Sequence, residues 1–447
     1  MTTVDHGGRR TGSGLSGGGH AAPRLERAKV ATSVVFLLNG MTFATWAGRI
    51  PTIREDLDLT PGQLGFVMLV GSAGALVGLP FAGRMAARYG AARTVLVGAT
   101  LSLAAFLIGG CTVGLAHSVA LSLPVLFLAM LGIGLWDVAM NLEGATVERH
   151  LGRTIMPRYH AGFSLGTVLS ALVAAGLTAA GVPVWLHFAV AVPVLWVGIA
   201  YAVQSFLPRT EEAEAPAAGE QEGEAARPGA QDGEAARADV RAARADGVPA
   251  PSSLGAAPAV RSAWTEPRTL LIGLVTLVAA FTEGAANDWV SVAFIDGYGL
   301  PQWAGVLGFA TFLLFMTAGR WFGAPLLDRY GRVPLLRALF VAAGVGSLLV
   351  VFSGSTPLAY LGAAIWGIGV SLGFPVGMSA AADDPGRAAA RMSVVSTIAY
   401  GAFLVGPPGL GWLGDHVGVL RALTVVAALL IVALLATPAM REEPPAG

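Results

Sequence analysis

The sequence predicts an all-α integral membrane protein whose twelve transmembrane helices form two six-helix bundles. Of the 447 residues, 54% are hydrophobic and only 13% are charged, whereas about 25% are charged in soluble domains. A basic turn also occurs twice between long apolar segments, as Arg88-Tyr89-Gly90 and Arg329-Tyr330-Gly331, on either side of a polar linker. Such a repeat is typical of a duplicated helical half, which builds a central cavity between the copies.

Apolar stretches about as long as a bilayer is thick divide the chain into domains. We expect a disordered N-terminal tail (1–28), a first bundle (29–207), a disordered linker (208–267), a second bundle (268–440) and a C-terminal tail (441–447). The linker mixes Pro, Ala, Gly, Glu and Arg without a helical stripe, which predicts a tether. The first apolar run is too long for a removable signal peptide. The predicted spans are 29–50, 62–84, 93–113, 119–142, 158–181, 184–207, 269–295, 302–325, 333–353, 356–381, 390–413 and 418–440.

The positions of the basic residues predict the orientation. With both termini cytoplasmic, the inside segments hold 25 of the 28 Lys and Arg residues, and only Arg49, Arg54 and Arg421 lie outside. Without the seven basic residues at 208–268 the ratio is still 18 to 3, so the positive-inside rule indicates a multi-pass protein of the cell inner membrane. The zero net charge gives no indication of a nucleic-acid partner.

The two basic turns resemble those of the major facilitator superfamily, which has six plus six spans and a long central cytoplasmic loop. The second copy matches the family pattern apart from Ala324, and the first has Ala87 at the acidic position. The resemblance implies a cytoplasmic gate in which an acid and arginines latch neighbouring helices; arginines that merely enforce topology are the alternative. The gate residues are Gly83, Arg88, Gly90, Asp328, Arg329, Gly331 and Arg332.

The fourth span is similar to the fucose and glucose permease branch of that superfamily, because Asp137 is followed four residues later by Asn141. In that branch the fourth-span acid is implicated in proton coupling. Leu142 replaces the proline that often follows the asparagine in sugar permeases. The resemblance also implies that spans 1, 4, 7 and 10 line the central path.

Acidic residues inside predicted spans point to the same path. A charge near the bilayer centre costs about 2.5–3.5 kcal/mol on insertion scales, so Asp137, Glu283 and Asp288 should face the protein interior. An outer gate between Asp288 and Arg49 and an inner-gate or structural role for His160 are further interpretations. The remaining candidates for the solute cavity are Asn141, Asn287, Asn39, Thr42, Trp46, Arg49, Trp366 and Phe374.

These observations predict a secondary transporter that works by alternating access and takes up a small polar, sugar-like solute together with protons. The alternatives are proton-coupled efflux of a drug or metabolite and a non-transporting membrane sensor or scaffold. We expect a monomer in the lipid bilayer that needs no cofactor and holds no metal site, since the histidines lack acidic companions at ligand spacing. An enzyme is not expected, because no nucleophile, base and orienting group recur at plausible spacing.

Overall fold

The computed structural model describes residues 18–153, 155–208, 256–384 and 386–442. Within these ranges the regular elements are helices, and no strand occurs. Residues 1–17, 209–255 and 443–447, which make up most of the predicted tails and linker, lie outside the described residues.

Within the described ranges, twelve helical spans are long and apolar enough to cross a membrane, which confirms the predicted fold class. Span 1 is interrupted between the helices Gly18–Ala47 and Ile50–Asp56, and span 10 between Thr356–Val370 and Gly373–Ala381. The helix of span 8 continues beyond the apolar segment to Tyr330. The spans are Pro23–Asp56, Pro61–Tyr89, Ala91–Gly114, Val119–Leu151, Met156–Ala179, Val184–Ser205, Pro267–Tyr298, Gln302–Gly323, Arg332–Phe352, Thr356–Ala381, Ala388–Val417 and Val419–Met440.

Two stretches that were predicted as tail and linker are helical. The first helix begins at Gly18, ahead of the predicted start of span 1, and a short helix, Ala256–Ala263, precedes span 7. Ala263 is buried against Ala390 and Val394 of span 11. The end of the linker is therefore held by apolar contacts, which the charge-rich composition of the whole segment concealed.

An ion-pair cluster fixes the same region at the start of span 7. Glu266 accepts a hydrogen bond from Arg391 Nε of span 11 at 2.8 Å and pairs with Arg387, the residue that precedes the helix of that span. Burial by itself raises the pKa of Glu266, but hydrogen bonds from Thr269 and Arg391 and the charges of the two arginines outweigh it and hold the pKa below its usual value. The carboxylate therefore stays ionised and ties the segment before span 7 to span 11.

The two halves repeat one close helix contact, which supports the duplication seen in the sequence. In the first half, a Cβ placed on Gly98 of span 3 would lie 2.8 Å from the backbone N of Trp136 in span 4. In the second half, a Cβ on Gly346 of span 9 would lie 2.4 Å from the backbone N of Trp366 in span 10. Glycine at both places lets the helix backbones approach this closely.

The halves meet along two seams. Span 2 packs on span 11, and span 5 packs on span 8. At the first seam a Cβ on Gly65 would lie 2.5 Å from the carbonyl oxygen of Pro407, and one on Gly411 2.5 Å from that of Pro61. Gly411 of span 11 and Gly65 of span 2 thus form part of an interface between the bundles. Spans 4, 7 and 10 each contact one helix of either seam, and span 1 packs on spans 4 and 5. We call the space that these four spans are expected to line the central path.

The spans end at two faces of the molecule. We call the face that holds the start of span 1 and the end of span 12 the terminal face. Ala28 and Leu207 are buried together there, and Arg268 donates from Nε to the carbonyl oxygen of Ala439 at 3.2 Å. The opposite face, which holds the turn between spans 1 and 2, is called the distal face.

Candidate functional site

Asp137 lies on the side of span 4 that faces away from the core of the first half. Its helix neighbours Trp136 and Met140 are fully buried, whereas Asp137 and Asn141 are half-buried. Asn141 donates from Nδ2 to the backbone carbonyl of Asp137 at 2.9 Å, so the two residues share one face. Among the described residues no hydrogen bond or ion pair reaches the Asp137 carboxylate. An unpaired acid in this place is a candidate proton carrier.

The polar stripe of span 1 lies inside the first half rather than along the central path. Asn39 is 1% exposed and donates from Nδ2 to Met140 Sδ at 3.2 Å, while its Oδ1 atom has no partner. Thr42 donates to the carbonyl oxygen of Leu38 in its own helix. Trp46 lines a small apolar cavity enclosed by spans 1, 2, 3, 4 and 6. These three residues pack the half that presents Asp137.

Arg49 is buried in a network within the first half. Its guanidinium donates to His187 Nδ1 at 3.0 Å, to Thr178 Oγ1 at 3.0 Å and to the carbonyl oxygen of Val182 at 2.9 Å. These bonds tie the distal end of span 1 to spans 5 and 6. The interpretation of Arg49 as the partner of Asp288 in an outer gate is wrong, because its donors are engaged by neighbours in its own half.

Glu283 of span 7 forms an ion pair with Arg320 of span 8. Nη2 of Arg320 lies 2.9 Å from both carboxylate oxygens, and the two side chains are 22% and 31% exposed. The Nε atom of the same guanidinium donates to the carbonyl oxygen of Ser371 in span 10 at 3.3 Å. Arg320 therefore joins three spans of the second half at the central path.

Arg320 was not among the predicted site residues, because it was counted with the arginines of the inside segments. It stands in span 8, ten residues before Tyr330, the last residue of that helix. An arginine within an apolar span costs about as much as an acid on insertion scales and needs a partner. The sequence therefore contained a signal for this pair: an arginine within span 8 needs a partner of opposite charge, and Glu283 lies in the neighbouring span 7.

Asn287 and Asp288 continue the polar face of span 7 towards the distal face. Both are half-buried, and the Oδ1 atom of Asn287 is buried without a partner. Asp288 has no ion pair within the described ranges. Trp289, by contrast, is fully buried in the second half. In the described part of the chain, Asp137 and Asp288 therefore form no ion pair, whereas Arg320 compensates the charge of Glu283.

Span 10 contributes a helix break and one of its two predicted wall residues. Trp366 is 0% exposed and makes an edge contact with Phe312 of span 8, with ring centroids 5.8 Å apart, so it belongs to the core of the second half. Phe374 is half-buried just beyond the break. The break lies just before Pro375, whose missing N–H weakens the helix at this point.

His160 of span 5 approaches the second half from across the path. It is exposed, and its ring makes an edge contact with Phe36 at 5.3 Å between centroids. Arg320 lies close enough for its charge to act on the imidazole. In the described part of the chain no group of three or more His, Cys, Asp or Glu side chains is placed to hold a metal ion.

The distal ends of the two halves are joined by polar contacts. Arg54 Nη1 lies 2.6 Å from Asp296 Oδ2, which makes an ion pair between spans 1 and 7. This pair takes the place that was predicted for Arg49 and Asp288, and it lies nearer to the distal face. The other contacts are Thr52 to Gln302 at 2.8 Å, Glu55 to Gln302, and the backbone N of Gly62 to Asp415 at 3.0 Å.

Removing the distal ion pair should shift the conformational balance. We expect Arg54→Ala to disfavour the closed distal face by about 0.2–1 kcal/mol, the usual value of an exposed pair, which changes the populations by up to about five-fold. The check is the thiol reactivity of Val306→Cys in a Cys111→Ser background, which should rise, because Val306 is buried against Ala174 and Ala175 of the first half. The reversed pair, Arg54→Asp with Asp296→Arg, should restore low reactivity; equal reactivity in all three proteins would contradict the closure.

The two basic turns have the same local structure on the terminal face. Gly90 has φ 86° and ψ 161°, and Gly331 has φ 76° and ψ 167°. In both turns the arginine lies over the ring of the tyrosine that follows it. The guanidinium carbon of Arg88 is 5.5 Å from the ring centroid of Tyr89, and that of Arg329 is 5.3 Å from the ring centroid of Tyr330. The repeated motif is thus a repeated structure.

In the described residues Asp328, the acid of the latch that was expected between neighbouring helices, forms no ion pair. Arg88, Asp328 and Arg329 are exposed, and Gly83 has open space around it. Arg332 pairs instead with Asp383 of its own half, at 2.7 Å from Nη1 to Oδ1.

Alanine at the turn glycine should strain the backbone. We expect Gly331→Ala to destabilise the protein by about 1–3 kcal/mol, because its φ and ψ fall in a region that is essentially restricted to glycine. No atom lies within 4 Å of the added Cβ, so the cost comes from the backbone alone. The check is the apparent melting temperature in detergent. Gly83→Ala is the matched control, since Gly83 is helical and has the same open space; an equal loss in both variants would contradict this account.

Comparison with known proteins identifies the family of this chain. A family model described as Major Facilitator Superfamily matches residues 32–407 and 304–447. The chain is 29% identical to an uncharacterised transporter, y4wD, of Sinorhizobium fredii over 410 residues, which cover 88% of this chain and 95% of the relative. It is 26% identical to an uncharacterised MFS-type transporter of Yersinia pestis, over 90% of this chain and 93% of the relative.

Solved structures share the fold at low identity. The chain is similar to the nucleoside transporter NupG, with a TM-score of 0.67, 12% identity, and 93% and 98% of the two chains covered. It is also similar to a bacterial homologue of the human lysosomal transporter Spinster, with a TM-score of 0.67, 13% identity, and 95% and 100% of the two chains covered. For the transporter FucP the TM-score is 0.57 and the identity 15%, with 93% and 98% of the two chains covered. The twelve spans of the described residues and the bacterial relatives support a multi-pass protein of the inner membrane.

Proposed function

Because this chain belongs to the Major Facilitator Superfamily, we propose that it is a secondary transporter that takes up a small polar, sugar-like solute together with protons. The observation that carries the proposal is Asp137, a half-buried acid without a partner among the described residues, on a span that lies between the two seams. An ionised carboxylate in that place is costly unless water, a cation or a proton compensates it.

The proton would supply that compensation during the cycle. When Asp137 is protonated, the path carries one negative charge fewer, and the bundles can close around it at lower desolvation cost. When the path opens to the other side, water stabilises the carboxylate and the proton leaves. Binding of solute with a proton, and not of either alone, then permits the transition, which is the requirement for coupled transport.

Glu283 has a different part in this proposal. Its charge is compensated by Arg320 at 2.9 Å, so its protonation would leave the guanidinium unpaired and is disfavoured. Asp288, which has no ion pair in the described residues, is the better second carrier. Asn141 and Asn287 lie next to these acids along the helices and offer amide groups to the hydroxyls of a solute.

We assign the terminal face to the cytoplasm, since the arginines of the gate turns lie there and the positive-inside rule places them inside. The contacts at the distal face support a state that is closed to the outside. One pair of bundles encloses the path, so the transporter is proposed to act as a monomer.

A thermal-shift screen of the purified protein tests the proposal first. Sugars, amino acids, nucleosides and drugs are compared, and a polar solute should raise the melting temperature by binding the folded state. That solute is then tested in proteoliposomes with an imposed pH gradient. Accumulation against the solute gradient supports coupled uptake. Stabilisation by drugs alone would favour efflux, and binding without any solute or proton movement would favour a sensor.

A further inference from the structure

Span 10 breaks where one backbone carbonyl has lost its helical donor. In an α-helix the carbonyl of Ser371 accepts from the N–H of residue 375. Residue 375 is proline, which has no N–H. The helix ends at Val370 and starts again at Gly373. The carbonyl oxygen of Ser371 therefore needs a donor from elsewhere, as any backbone acceptor inside a membrane does.

Arg320 supplies that donor. Its Nε atom lies 3.3 Å from the carbonyl oxygen of Ser371, a long hydrogen bond, while Nη2 of the same guanidinium holds both oxygens of Glu283 at 2.9 Å. The guanidinium is planar and rigid, so its two edges cannot move independently. The position of Glu283 on span 7 is thereby connected to the break in span 10 through one side chain.

The corresponding place in the first half has no such device. Trp136 and Trp366 occupy matching positions in spans 4 and 10, and counting five residues onwards from each reaches Asn141 and Ser371. Span 4 runs unbroken from Val119 to Leu151. The break, the proline and the arginine thus occur together in one half only.

We propose that Arg320 is a positioning residue that replaces the missing amide N–H of Pro375 and couples the ionisation of Glu283 to the break between Val370 and Gly373 in span 10. We call this break the hinge. While Glu283 is ionised, the ion pair orients the guanidinium towards Ser371 and fixes the segment Gly373–Ala381. Neutralising Glu283, or drawing its carboxylate to a bound solute, releases Arg320 and loosens the hinge. The proposal rests on the proposed transport function only in that the cycle must disturb Glu283.

The test measures the hinge directly. Spin labels at cysteines replacing Ala382, after the end of span 10, and Arg337, on the exposed side of span 9, report the distance between these spans in a Cys111→Ser background. Glu283→Gln should shift or broaden this distance distribution. In a Pro375→Ala background the new N–H can bond to Ser371, so the effect of Glu283→Gln should be lost.

Two further variants keep the outcome decisive. Pro193→Ala makes the same change at an exposed proline within the helix of span 6, far from Arg320 in the chain, and should leave the full effect of Glu283→Gln. Arg320→Lys retains the charge but not the planar fork, so it should loosen the hinge as Glu283→Gln does. The same shift with and without Pro375, or no shift on neutralising Glu283, would overturn the proposal.

The distance measurement needs neither solute nor gradient. Its failure would leave the transport proposal standing, whereas a failed transport assay would leave a positive distance result standing. The two proposals are therefore tested separately.

Discussion

Asp137→Asn should abolish concentrative uptake of the solute in proteoliposomes while leaving exchange of solute across the membrane. Asparagine has nearly the shape of a protonated aspartate and cannot release a proton, so the path remains in its neutral form. We expect accumulation driven by a pH gradient to fall at least about ten-fold, since the variant loses the group whose ionisation is worth several kcal/mol inside the membrane. Counterflow, which needs no net proton movement, should persist.

The control for this change is an acid outside the spans. Asp384→Asn keeps the oxygen that accepts from the backbone N of Gly386 at 3.0 Å, and it should transport like the parent protein. Asp288→Asn is the informative comparison, because Asp288 is the other acid of the path without an ion pair in the described ranges. Unchanged accumulation in Asp137→Asn together with its loss in Asp288→Asn would move the coupling site to span 7.

The sequence predicts the spans far better than the partners within them. Span count follows from apolar length, because only helices that satisfy their own backbone cross a bilayer. The cost of burying charge predicts that the acids within the spans face the protein interior. Arg49 shows the limit of such reasoning, since it was predicted to pair with Asp288 in an outer gate, whereas the fold brings Thr178 and His187 to within 3.0 Å of its guanidinium.

Which residues a side chain contacts depends on the orientation of each helix about its own axis. Asn39 and Trp46 have the spacing of a path-lining stripe, yet the stripe faces the interior of the first half. Spacing fixes which residues share a face, but it does not say which neighbour that face meets. Arg320 was not predicted as a partner for Glu283, because its charge was attributed to membrane topology alone.

Breaking the Glu283–Arg320 pair from one side should cost more stability than removing both charges. Arg320→Gln leaves the Glu283 carboxylate without its guanidinium and also removes the donor to Ser371. Breaking a fully buried pair costs about 3–5 kcal/mol, and solvent at these partly exposed side chains reduces the expected loss to roughly 2 kcal/mol. Adding Glu283→Gln removes the uncompensated charge, so the double variant should recover part of the loss. The measurement is the unfolding of all four proteins in detergent, analysed as a double-mutant cycle.

The sign of the coupling energy from the double-mutant cycle distinguishes an ion pair from a packing contact. If the two side chains only fill space, the losses should add, and the double variant should be the least stable of the four. A double variant more stable than Arg320→Gln requires that charge compensation holds the pair together inside the membrane. Transport by the double variant adds a second criterion: because the proposed proton carrier is Asp137, coupled uptake should survive at reduced rate. Loss of coupling in Glu283→Gln and in the double variant, with coupling retained in Arg320→Gln, would mean that Glu283 itself carries the proton.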